Sequence, residues 1–258
     1  MASKKGKTIC LFSSKGGVGK TIMTLNLAGI CEKLQHKTLI IDLDLTNGGI
    51  SVALNREVNK SIYNLIDDIN NNRYKEFKDY VTKYDEYIDF LASPKDPRQG
   101  NKIDSKYIEV LLDRAAYLYD VILIDTTHSL NELNLVTLDL VNEILFLVTN
   151  DPLDLKNMKS LISIFRDLEI DKYKMILNNS CDIEKDYFSI YDLRNIIKTN
   201  IDYVISNKFY IKNIDTYVMN GEIITLLPKV NSIYSKDYFT LSTIMIDILG
   251  KSEGDKNE

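Results

Sequence analysis

The chain has 258 residues, enough for one large α/β domain or two small ones and for a substantial buried core. Hydrophobic residues make up 45% and charged residues 27%, the ordinary balance of a soluble globular protein. A formal net charge of −5 excludes bulk, nonspecific attraction to nucleic acid or anionic lipid and leaves open only a local basic patch.

Residues 1–7 are short and basic, and the apolar stretch behind them, residues 8–12, is too short for a signal peptide or a membrane span. A cytoplasmic protein is therefore expected. Residues 8–12 read as a first strand that runs into a Gly-rich turn, and residues 20–35 as a helix with Leu25, Ala28, Gly29 and Glu32 at helical spacing. A second strand is expected at 38–42, helices at 63–69 and 74–84, and a strand at 87–91 followed by a proline loop at 94–100. The pattern then gives an amphipathic helix at 106–118, an apolar strand at 121–125 that ends in a carboxylate, and another strand at 143–149. A helix at 153–168, short strands at 174–178 and 203–205, and a closing helix at 234–249 complete it. Residues 251–258 are charged and expected to be a disordered tail, so residues 1–250 read as a single domain. Cys10, Cys31 and Cys181 have no paired spacing and are expected to be reduced, mostly buried thiols.

The runs ICLF, TLII, VILI and ILFLV are continuously apolar rather than alternating, which marks strands buried on both faces of a mostly parallel sheet. Strands alternating with helices give a doubly wound α/β fold with helices on both faces. Ligands of such sheets bind beyond the carboxyl ends of the strands.

The run Ser14-Lys15-Gly16-Gly17-Val18-Gly19-Lys20-Thr21 follows the first strand and opens the first helix, the context a phosphate-binding P-loop requires. Glycines let the loop fold tightly and aim backbone N–H groups at phosphate oxygens, and the helix N-terminus adds positive potential there. Lys20 supplies a mobile cation for the β- and γ-phosphates, and the Thr21 hydroxyl is placed to ligate Mg²⁺. Gly16, Gly17, Val18, Gly19, Lys20, Thr21 and Ile22 are the expected ATP-binding run. Ser14 stands where the motif usually has its first Gly, which a Ser tolerates if its φ stays negative.

The second lysine narrows the reading, because KGGVGKT resembles the deviant Walker A motif of the ParA/MinD superfamily of P-loop ATPases. The resemblance implies that Lys15 reaches across a nucleotide-sandwich homodimer to the partner's phosphates and that Gly16 lies at the seam. A cation supplied in trans links hydrolysis to dimerisation. Asp42 and Asp44 close the second strand two residues apart, on one face of it. Asp44 lies 24 residues after Lys20 and resembles the family's water-orienting, Mg²⁺-side aspartate. Asp42 takes a supporting place near Mg²⁺ or Lys15, or else serves as a helix cap or surface ion pair. Asp125 looks like the Walker B aspartate that holds Mg²⁺. The family often has proline shortly after it, whereas this chain has Thr126-Thr127-His128, so His128 either touches a phosphate or a partner or is structural. Asn178 resembles the residue that hydrogen-bonds adenine, with Asn179 as the alternative.

Four further segments, DLDLTNGGISVALN, IDFLASPKDPRQG, NDPLDLKNMKSL and IDYVISNKFYIKNIDTYVMNGEII, resemble the CpaE/TadZ branch, which localises and helps assemble Tad-type pili and secretion machines. The N-terminal receiver-like domain common in that branch is not expected, since the chain begins almost at the P-loop strand. The implied function is a slowly hydrolysing MgATP switch that dimerises with ATP, engages a protein partner and is recruited to a pole or to the inner membrane face. A DNA-segregation ATPase is the first alternative. It needs a basic surface, for which Lys156, Lys159, Arg166, Lys172 and Lys174 are candidates among interspersed acids. A membrane-positioning switch would need a basic amphipathic C-terminal helix, and the tail KSEGDKNE does not provide one. A nucleotide-binding scaffold without hydrolysis is opposed by the full set Lys20, Thr21, Asp44 and Asp125.

Overall fold

The computed structural model describes residues 5–181, 187–209 and 214–250. Eight strands form one sheet in the order β3-β4-β2-β5-β1-β6-β7-β8. They are β1 (Lys7–Phe12), β2 (Thr38–Asp42), β3 (Thr82–Lys83), β4 (Ile88–Leu91), β5 (Val121–Asp125), β6 (Glu143–Val148), β7 (Tyr173–Asn178) and β8 (Tyr203–Ile205). Every neighbouring pair is parallel except β3 with β4. The helices are α1 (Lys20–Lys33), α2 (Ile50–Ala53), α3 (Ile62–Asn70), α4 (Pro97–Gly100), α5 (Tyr107–Leu118) and α6 (Glu132–Leu140), then α7 (Pro152–Asp167), α8 (Ile190–Ile197), α9 (Ile214–Asn220), α10 (Val230–Ile233) and α11 (Ser235–Leu249).

The apolar strand runs divide residue by residue between two cores. Cys10, Phe12, Ile122, Ile124, Ile144 and Phe146 face α3, α5, α6, α7 and α8. Ile9, Leu11, Val121, Leu123, Leu145 and Leu147 face α1 and α11. This period-2 partition explains why the strands are apolar at every position: both faces are covered. The doubly wound, mostly parallel sheet expected from the sequence is the observed fold.

Residues 74–84, expected as a helix, form a single 3₁₀ turn at Phe77–Asp79 and then the edge strand β3. Phe77 and Tyr80 do point inward at helical spacing and are buried. The backbone is captured instead by antiparallel pairing of Thr82 with Phe90 and Lys83 with Asp89. Asp85 closes the hairpin by accepting the N–H groups of Tyr87 and Ile88 at 2.9 and 2.8 Å. The proline loop at 94–100 contains the short α4, capped by Asp96. Helices α6 and α8 were not expected, yet each has a local start signal. Asn131 caps α6, and Ser189 with Asp192 forms a capping box on α8. Cys10 and Cys31 are buried and Cys181 is exposed. The expected tail at 251–258 lies outside the described residues.

Candidate functional site

The loop between β1 and α1 carries the site at the carboxyl end of the central strands. Gly17 and Gly19 have φ of 75° and 89°, values at which a side chain would be strained. Ser14 stays out of the left-handed region, as its place in the turn demands. Its hydroxyl donates to the Asp154 carboxylate at 2.9 Å and so ties the loop to the start of α7. Lys20 donates to Ser13 Oγ at 2.9 Å, and Ser13 in turn donates to the Lys15 carbonyl at 2.7 Å. Burial pulls the Lys20 ammonium below the ordinary lysine range, and the charges of Asp125, Asp44 and Asp154 offset part of that.

Opposite Lys20 the ends of β2 and β5 bring carboxylates together, because Asp42 and Asp125 are register partners. The Thr21 hydroxyl donates to Asp125 Oδ2 at 2.6 Å. Asp125 Oδ1 is buried and, among the described residues, has no hydrogen-bond partner. Burial pushes the Asp125 carboxyl up to about 6 against the pull of Thr21 and Lys20. A carboxylate oxygen left in that condition beside a hydroxyl fits a hard cation that keeps phosphate and water as its other ligands. No group of three or more His, Cys, Asp or Glu among the described residues could hold a metal by protein ligands alone.

Asp44 stands in the turn beyond β2 rather than in the strand, and its Oδ1 accepts the Asn47 N–H at 2.9 Å. Of the places expected for Asp42, the structure shows the capping one. Asp42 is fully buried, and its oxygens accept the N–H groups of Asp44 and Ile50 and the Ser93 hydroxyl at 3.1, 3.2 and 3.2 Å. Ile50 opens α2, so Asp42 fixes the turn that carries Asp44. Burial, and then the charge of Asp125, push Asp42 up to about 7.

Lys15 lies at the rim, 3.0 Å from Asp151 Oδ2. Asp151 caps α7 by accepting the N–H groups of Leu153 and Asp154, and these bonds with Lys15 hold its carboxyl down at about 2. Gly16 is overlain by His128: a Cβ at Gly16 would stand 3.4 Å from His128 Nδ1. Asn178 is buried at the end of β7, its amide donating to the Val18 carbonyl at 2.9 Å while its oxygen accepts the Ser180 hydroxyl at 2.7 Å. Both ends of that side chain are therefore engaged with the loop and the turn after β7. The neighbouring Asn179 Oδ1 is buried without a hydrogen-bond partner among the described residues. Two clefts flank the loop. One of about 430 Å³ runs from Lys15 to Val18 and is faced by Asn150 and Asn179. A more apolar one of about 670 Å³ is lined by Ile22, Met23, Asn178, Cys181, Phe209 and Ile214.

Sequence reasoning missed Ser13, Asp151 and Asp154 as parts of this site. The Asp-Pro start of α7 was a legible cap signal, but only the folded sheet brings that helix start against the loop.

A family profile described as an AAA domain (AAA_31) matches residues 6–183. A chromosome-partitioning ATPase Soj from Treponema pallidum is 24% identical over 232 residues, covering 87% of this chain and 83% of its own. A septum site-determining protein MinD from Emiliania huxleyi is 26% identical over 176 residues, covering 67% of this chain and only 62% of its own length. Among solved structures, MinD complexed with Mg-ADP from Pyrococcus horikoshii superposes with a TM-score of 0.78 at 20% identity, covering 95% of this chain and 98% of that one. A ParA family ATPase from Chlorobium tepidum gives 0.77 at 17% identity, covering 95% and 99%.

Proposed function

The chain belongs to the AAA_31 family of AAA domains and is a P-loop ATPase of the ParA/MinD kind, and on that premise we propose that residues 1–250 form one MgATP-dependent dimerisation switch. The observation that carries the reading is the convergence of Lys20, Thr21, Asp44 and Asp125 at one end of the sheet, with Lys15 tethered at its rim.

Bound MgATP supplies a reactive phosphoryl group and a divalent charge beside it. The N–H groups of Gly17, Val18 and Gly19 and the desolvated Lys20 ammonium bind its phosphates. Thr21 and Asp125 are the candidate metal ligands, the buried Oδ1 of Asp125 being the atom that a cation would satisfy. Asp44 orients the attacking water on the metal side. The run KGGVGKT is read as a deviant Walker A, in which Lys15 leaves Asp151 for phosphates held by a second copy, so that hydrolysis is slow alone and rises on dimerisation or with a protein partner. Ile22 lines the apolar cleft for the base, and Asn178 reads the base by exchanging its bond to Val18, with Asn179 as the alternative reader.

The ATP state presents a surface to its partner and hydrolysis removes it, a two-state switch biased by the γ-phosphate. We take the cellular role to be the localisation or assembly of a machine from the cytoplasm, with recruitment to a pole or the inner membrane face through that partner. Assembly of a Tad-type pilus rests on the four CpaE/TadZ-like segments. Partition and septum siting draw equally on the relatives named above. Against a DNA surface stands the use of two of its five candidate basic residues within the fold. Arg166 donates to the Lys198 carbonyl and Lys172 to those of Asp139 and Val141. No helix among the described residues is long and apolar enough to cross a membrane.

The test is size-exclusion chromatography with light scattering on Asp44→Ala, in MgATP and in MgADP. A dimer with ATP alone is expected. A monomer in both states, or a dimer in both, would remove the nucleotide-controlled association on which the proposal depends. DNA or liposomes added to the ATP dimer then separate the cellular readings.

A further inference from the structure

The loop after β5 is fixed at nearly every polar group. Thr126 donates to the Leu11 carbonyl at 2.6 Å. Asn134, fully buried in the first turn of α6, spends its amide N–H groups on Thr127 Oγ1 and on the Ser129 carbonyl, both at 2.7 Å. The Thr127 and Ser129 hydroxyls share a further hydrogen bond of 3.0 Å. Between these two anchored residues stands His128, exposed, with no hydrogen bond to its ring among the described residues. Its imidazole lies against the P-loop: a Cβ at Gly16 would stand 3.4, 3.5 and 3.9 Å from Nδ1, Cε1 and Cγ.

On the MgATP reading, that position is on the side of the outer phosphates. Gly16 follows Lys15, whose carbonyl is joined through Ser13 to the Lys20 ammonium, the cation of the β- and γ-phosphates. The cleft proposed above for the base is lined by Ile22 and Phe209 and does not include Gly16. An imidazole N–H is a good donor to a phosphate oxygen. A loop already anchored on both sides of the histidine has less backbone freedom to lose on binding.

We infer that His128 is a terminal-phosphate contact of the nucleotide reaction and that Asn134 is the positioning residue that holds it over Gly16. The inference rests on the MgATP reading above. The ligand chemistry is the γ-phosphate oxygen of a nucleoside triphosphate, held either by the same chain's P-loop or by that of a second copy.

The experiment uses the full chain with MgATPγS and MgADP as probes, titrated by calorimetry on dilute protein and followed by light scattering at high protein concentration. His128→Ala weakens MgATPγS binding about 10- to 100-fold and leaves MgADP binding unchanged if the phosphate is in cis, in keeping with one charge-assisted hydrogen bond. If the phosphate belongs to a second copy, dilute affinity is kept and triphosphate-dependent association is lost. His128→Gln, which retains an N–H donor, recovers part of either effect. Asn134→Ala reproduces the loss, and the double variant is no worse than His128→Ala alone, because the two act through one contact. Thr127→Val removes the acceptor of the same amide and repeats the result should Asn134→Ala fail to fold. His128→Ala that binds, associates and hydrolyses as wild type does would overturn the inference, as would full additivity with Thr127→Val. Wild-type protein that does not distinguish MgATPγS from MgADP and does not associate would sink the MgATP reading together with it.

Discussion

Gly48 is where the second-strand turn meets the rest of the site most tightly. A Cβ there would fall 1.6 Å from Ser93 Oγ, 2.5 Å from Ser93 Cβ and 2.9 Å from Asp42 Oδ2. Gly48→Ala therefore has to displace the turn that carries Asp44, at about 1–3 kcal/mol, in line with other overpacked sites. Ser93→Gly in the same chain should restore much of that loss in a denaturant titration, and a purely additive double variant would locate the strain elsewhere. Asp42 gives a pH signature. Its folded carboxyl stands at about 7, raised by burial and by Asp125, against about 3.9 in an unfolded chain. Between these values the folded protein holds the extra proton. Stability without nucleotide is therefore favoured at the acid end and falls as pH rises from about 4 to 7, by at most about 1.4 kcal/mol per pH unit from this residue. Asp42→Asn, whose single oxygen also leaves an N–H of the turn without its acceptor, should lose this share of the slope and keep the share that Asp125, raised to about 6, contributes. An unchanged slope in that variant would assign the titration to another group.

At the scale of elements, the contact that governs the site is the start of α7 against the P-loop. Asp151 caps the helix and holds Lys15, while Asp154 accepts bonds from Thr149 and Ser14. The Ser in place of the motif's usual first Gly is thus one half of a hydrogen bond between two elements. Removing the cap by Asp151→Ala should cost about 1 kcal/mol of unfolding free energy. It also releases Lys15, so ATP-dependent association should be kept or strengthened while stability drops. Loss of both together would mean that Asp151 is needed in the associated state itself. The hairpin of β3 and β4 makes the opposite point about elements. Residues 74–84 carry apolar side chains at helical spacing, yet an unpaired sheet edge beside them offered ladder bonds that outweighed the local pattern.

For the whole molecule, the two cores on either face of the sheet leave the carboxyl ends of β1, β2 and β5 as the place where buried charge is tolerated. Burial disfavours ionised Lys20, Asp125 and Asp154 alike; Asp125, Asp44 and Asp154 offset it for Lys20, Thr21 and Lys20 for Asp125, and Thr149, Ser14 and Lys15 for Asp154. A ligand that completes this arrangement should stabilise the fold by mass action, by about 2.7 kcal/mol at a hundredfold excess over its Kd. MgATP is expected to raise the wild-type Tm accordingly. Lys20→Ala, lacking a charge-assisted bond of about 1.5–3 kcal/mol, should bind about 10- to 100-fold more weakly and lose most of that shift. A variant that keeps the full shift would remove Lys20 from the phosphate site.

The sequence by itself determined the fold class and the P-loop. Continuous apolar strands can only be buried on both faces. A glycine-rich turn that ends in Lys-Thr between a strand and a helix reads as a phosphate-binding loop, and the left-handed backbone at Gly17 and Gly19 is what those glycines permit. Both signals are local, written in spacing and residue type within a few turns of chain. Tertiary structure alone decided which carboxylates meet which cations. Asp42 turned inward as a cap because α2 and Ser93 closed over it, Lys15 found Asp151 far along the chain, and Asn134 tied down Thr127 and Ser129 on either side of His128. Such pairings depend on how the helices cross the sheet and return, so no spacing along the chain encodes them.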